Sequence, residues 1–101
     1  MVDGKEITLG GQKYTLPPIP LSGLARLGDR IKTIGGDDPD AIDALIDGVH
    51  ISLRRNYPDI ERVTVDNNID PLNFAAVLEA FTAVNGFVVA EETPGKRKRG
   101  K

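Results

Sequence analysis

The residues able to do chemistry in this 101-residue chain are few and scattered. His50 is the single histidine and there is no cysteine. Disulfides and thiolate metal sites are thereby removed, and the composition fits a reducing compartment. His50 borders an apolar stripe beside Val49 and has no second histidine to work with, so it reads as a helix-boundary residue rather than a general base. Asp37, Asp38, Asp40, Asp43 and Asp47 are dense enough to suggest calcium. They nevertheless lack the D-x-D-x-D-G loop and the glutamate at its twelfth position, and read instead as a helix start followed by a solvated face. Gly10-Gly11 and Gly35-Gly36 stand in no G-x-x-x-x-G-K-[ST] pattern, so a phosphate cradle is unsupported. No nucleophile, base and oxyanion donor fall together. The reading is a non-enzymatic protein with no cofactor and no metal, whose function comes from what its surface binds.

Charge is unevenly placed. Five of the thirteen basic residues are Lys96, Arg97, Lys98, Arg99 and Lys101, which leaves eight basic against fifteen acidic side chains in residues 1–95. An acidic body of net −7 followed by a tail of +5 is not the footprint of a nucleic-acid-binding domain, and any such activity would belong to the tail. The tail has no aromatic residue for base stacking. The N-terminus M-V-D-G-K-E contains no apolar leader core, and no apolar run is long enough to span a bilayer, so a soluble intracellular protein is expected.

These residues need a scaffold, and the length allows one small domain with a thin core. The organising stretch is 70–86, D-P-L-N-F-A-A-V-L-E-A-F-T-A-V-N-G, read as a helix over about 71–85 with Asp70 as cap, Pro71 in the first turn and Gly86 as the stop. Phe74, Val77, Leu78, Phe81 and Val84 form one stripe, and Leu72 with Ala75, Ala76, Ala80 and Ala83 covers most of the rest. Two readings follow. Either the helix is central and wrapped by its own domain, or its alanine face is kept flat for another protein chain.

Residues 5–16 alternate about Gly10-Gly11 and predict a hairpin with a two-residue turn, setting Leu9 opposite Gln12, Ile7 opposite Tyr14 and Lys5 opposite Leu16 on its apolar face. Pro17-Pro18-Ile19-Pro20 is an extended connector, read as a rigid spacer rather than a displayed ligand for an SH3-like module. Helices are expected over about 21–34, weakened by Gly23 and Gly28 with close packing at Gly28 as one reason, and over about 39–55. Ile51 points away from the stripe of the second helix. Residues 59–69 read as a connector with a short helical turn from near Thr64, and Phe87-Val88-Val89 as an apolar run docking back on the core. The fold class is therefore mostly α (α+β): an N-terminal hairpin on three to four helices, one domain over 1–90, and a basic tail over 91–101 expected to be disordered.

On these residues the chain resembles the tail assembly chaperones of long-tailed bacteriophages and prophages. The resemblance is carried by I-T-L-G-G-Q-K-Y-T-L-P-P-I-P-L, by L-R-R-N-Y-P-D at 53–59, and by N-F-A-A-V-L-E-A-F-T-A-V-N-G at 73–86. It implies a small, mostly helical protein that binds the tape measure protein, recruits major tail protein subunits and leaves as the tube forms. The implied location is the host bacterial cytoplasm and not the mature virion. In such phages a programmed frameshift can add a longer form, and Gly95-Lys96 and Gly100-Lys101 are where slippery codons could fall. Partner-binding candidates are Ile51, Leu72, Ala76, Ala80, Ala83 and Phe87, with Lys96 to Lys101 as an electrostatic tail and self-association as a further expectation. The alternative is a small phage regulator or packaging factor that contacts nucleic acid through that tail.

Overall fold

Alternation of apolar and polar residues on either side of two glycines produces an antiparallel hairpin of β1 (Lys5–Leu9) and β2 (Gln12–Leu16). The register pairs Lys5 with Leu16, Ile7 with Tyr14 and Leu9 with Gln12. Gly10 and Gly11 take φ of 59° and 79°, the left-handed pair that a tight two-residue turn requires. Ile7, Leu9 and Leu16 are buried from one face, while Glu6, Thr8 and Lys13 of the other face are exposed. The computed structural model describes residues 1–86.

Four helices follow: α1 (Leu21–Leu27), α2 (Pro39–Leu53), α3 (Arg62–Asn68) and α4 (Phe74–Asn85). The helix expected over 21–34 is broken. Gly28 takes φ 54° and ends α1, and Gly28–Thr33 continues as a 3-10 helix. Gly28 has open space where a Cβ would sit, so it is a conformational break and not the close-packing site that the sequence suggests. The close packing is at Gly23, where a Cβ would lie 2.6 Å from Ile51 Cγ2 and 2.8 Å from Ile19 Cγ1. The short helix over the 59–69 connector also begins earlier than expected, at Arg62 rather than near Thr64.

The central element is α2, not the 70–86 stretch. It touches α1, the 3-10 helix, α3 and β2, and buries Ala41, Ala44, Leu45, Ile46, Gly48, Val49, Ser52 and Leu53. By contrast, α4 packs on the two strands and buries only Val77, Ala80, Phe81 and Thr82. The two helices meet where the fully buried Phe81 ring faces Gly48, since a Cβ there would lie 2.8 Å from Phe81 Cζ.

Asparagine side chains join the pieces. Asn56, just past α2, bonds Val2 N–H at 2.6 Å, Val2 C=O at 2.9 Å and Thr15 C=O at 3.2 Å. Tyr57 accepts Thr15 N–H at 2.8 Å and meets Tyr14 edge-to-face with ring centroids 5.1 Å apart. At the far end of α4, Asn85 accepts Ile19 N–H at 2.8 Å, so the proline-rich connector is stitched onto the core, with Pro17 and Ile19 buried. The hairpin and its proline-rich connector are thus joined both to the chain just past α2 and to the end of α4.

Candidate functional site

The start of α4 is built by a reciprocal cap. Asp70 Oδ1 accepts Leu72 N–H at 2.9 Å and Asn73 N–H at 3.1 Å, while Asn73 Oδ1 accepts Asp70 N–H at 2.8 Å. Asn73 also donates to Asn68 C=O at 2.7 Å, which ties the cap to the end of α3. Asp70 thus acts as the expected cap, but on a turn over 71–73, and the helix itself begins at Phe74. Gly86 closes it with φ 72°.

This cap holds Leu72 outward at 95 % exposure, the most exposed large apolar residue among those described. Ala75, Ala76, Glu79 and Ala83 are exposed as well. Their spacing places them on one face, continuous with Leu72, so the helix presents a flat apolar strip interrupted by a single carboxylate. Beside Leu72, the side chains of Ile42, Ile69, Pro71 and Phe74 line an apolar groove, with Asp37 and Asp70 at its rim.

The expected site residues divide accordingly. Leu72, Ala76 and Ala83 lie on the open face of α4. Ala80 does not: it is 8 % exposed and belongs to the core beside Val77 and Phe81, and the exposed alanine that replaces it in the strip is Ala75. Ile51 is half-buried against the core beneath Gly23 rather than standing clear of the surface, so it is not part of the α4 strip. Phe87, the run Phe87-Val88-Val89 and the tail cations Lys96, Arg97, Lys98, Arg99 and Lys101 lie outside the described residues.

The acidic run divides too. Asp43 and Asp47, one turn apart on α2, receive Arg30 from the 3-10 helix at 3.1 and 2.9 Å, and Arg62 from α3 at 2.6 and 2.5 Å. Two carboxylates thereby clamp two neighbouring elements onto the central helix. Burial acts to raise the Asp47 carboxyl, but hydrogen bonds and charge from Arg62 and Arg30 outweigh it and hold the group below its ordinary range. Donating that hydrogen bond to Asp47 raises Arg62 against the opposing effect of burial. Asp43 and Asp47 are i, i+4 neighbours and so visibly share a face in the sequence. That Arg30 and Arg62 arrive there from opposite sides depends on tertiary placement and has no local signal.

His50 Nε2 lies 3.0 Å from Ile60 C=O, which ties α2 to the segment leading into α3. Its contact is with backbone, in keeping with a boundary histidine. Among the described residues no group of three or more His, Cys, Asp or Glu is arranged to hold a metal ion, and no helix is long and apolar enough to cross a membrane. Comparison of the chain with protein-family models, with curated proteins and with solved structures finds no match.

Proposed function

We propose that this protein is a non-enzymatic chaperone of phage tail assembly that holds the tape measure protein in the host cytoplasm and helps bring tail-tube subunits to it. The observation that carries the reading is the open face of α4, where Leu72, Ala75, Ala76 and Ala83 form an apolar strip that the other described residues leave exposed. Small side chains let a partner helix approach closely, and an exposed leucine at the end of the strip supplies an anchor. A tape measure protein is long and largely helical, with apolar stripes that aggregate unless covered. A shallow strip suits a holder that must bind in many copies and then be displaced, because avidity along one filament compensates for modest affinity at each site.

The test is capture with the tagged full chain from cells that express its neighbouring genes, washed at low and at high salt. Mass spectrometry of the eluate is expected to find a very long helical protein together with a tail-tube subunit. Recovery of salt-sensitive nucleic acid alone would sink the reading and move attention to Lys96 to Lys101.

A further inference from the structure

Residues 1–86 carry eight basic and thirteen acidic side chains, so a cation cluster in this body is not a product of composition. Arg30, Lys32 and Arg62 are paired with aspartates. The three arginines with no carboxylate partner among the described residues are Arg26, Arg54 and Arg55, and all three line one groove. Arg26 comes from the last turn of α1, and Arg54 and Arg55 from the end of α2. Ser22 and His50 add polar groups, Ile51 and Pro58 add apolar wall, and no carboxylate lines the groove. In the adjoining cleft Asp47 is already engaged by Arg30 and Arg62.

A cation at a helix C-terminus is favourable in its own right. That accounts for each arginine at its own helix end, but not for two helix ends meeting around one groove from which acidic residues are absent. Arg55 donates to Pro18 C=O at 3.0 Å, which fixes one guanidinium in place, while Arg26 and Arg54 remain exposed with their donors available.

We propose that this groove binds a carboxylate-rich segment of a partner protein, with Arg26 and Arg54 as forked donors to its side chains. Guanidinium groups match carboxylates in a two-point geometry, and the apolar wall takes the methylene stems of glutamates or an intervening leucine. A nucleic-acid strand fits less well. Base stacking needs an aromatic face, and the only aromatic ring in the lining is the His50 imidazole, whose Nε2 lies against Ile60 C=O. The surface is separate from the α4 strip, and the inference does not depend on what that strip holds.

Fluorescence anisotropy of a fluorescein-labelled peptide of repeated Glu-Glu-Ala-Leu, titrated with the full chain, tests it. An oligo-dT of equal charge serves as the competing probe. Three proteins are compared: wild type; R26Q/R54Q, which leaves the Arg55 contact intact; and a tail variant with K96Q, R97Q, K98Q, R99Q and K101Q. Thermal unfolding confirms that each is folded. The groove reading expects wild type and the tail variant to bind the peptide alike, binding that weakens with salt, and a loss of about tenfold or more in R26Q/R54Q. Loss confined to the tail variant, no peptide binding at all, or tighter oligo-dT binding that needs Arg26 and Arg54 would each overturn it. So would self-association that R26Q/R54Q abolishes while peptide binding persists.

Discussion

The two long helices, α2 and α4, use apolar residues in opposite ways. Helix α2 is covered from several directions and spends its charges on its neighbours, with Asp43 and Asp47 holding Arg30 and Arg62. Helix α4 has less charge, since Glu79 is its single ionisable residue, yet it buries four residues where α2 buries eight. The contrast teaches that apolar content and centrality are separate properties. The helix that looks most greasy in the sequence has more apolar surface than the described residues cover, and the surplus is concentrated on one face.

Substitutions can break or sharpen this contrast. The largest effect belongs to the seam between the helices: Phe81→Ala removes a fully buried ring and is expected to cost about 3–5 kcal/mol in denaturant unfolding. A near-neutral result would place that ring on a partner surface instead. Next is the other side of the seam. Gly48→Ala drives a methyl toward Phe81 Cζ, 2.8 Å from where the new Cβ would lie, and should cost about 1–3 kcal/mol. If it stabilises the protein, the two helices are less tightly packed than described.

A smaller effect is expected at the charged side of α2. Asp47→Asn weakens contacts to both arginines and should cost about 1 kcal/mol at neutral pH, because the pairs are partly exposed. The folded Asp47 carboxyl lies below its ordinary value, so its contribution is present above the unfolded pKa of about 3.9 and is lost as pH falls through the folded value. The gap between wild type and Asp47→Asn should therefore close below about pH 4, as followed by urea unfolding across pH. A gap that persists in strong acid would assign the effect to packing. The smallest change in stability is expected on the open face, where Leu72→Ser and Ala76→Ser should stay within about 0.5 kcal/mol. A loss of several times that size would mean the strip is part of the core.

Much of this fold was legible because its signals are local. Gly10-Gly11 between alternating runs determines a hairpin register, and the apolar stripe of 39–55 ends within two residues of the observed helix. At the glycines and alanines the reading fails because small residues do not announce their neighbours. Gly23 and Gly28 look alike in the sequence, yet one lies under Ile51 and the other turns the chain. Ala75 and Ala80 are equally plausible members of a flat face, and only tertiary packing decides that Ala80 is covered and Ala75 is not. Asn56, Asn73 and Asn85 carry joints that composition marks merely as turn formers. The arginine groove needs α1 and the end of α2 side by side, which no spacing along the chain reveals.

The most direct test of the central claim is the yield of soluble tape measure protein when it is expressed beside this chain, wild type or carrying Leu72→Ser with Ala76→Glu. The proposed role predicts that wild type keeps the long protein soluble and co-purifies with it, and that the folded double variant leaves it insoluble. A double variant that holds the tape measure protein as well as wild type would contradict the assignment of the α4 face. A wild-type chain that fails to hold it would contradict the proposed function itself.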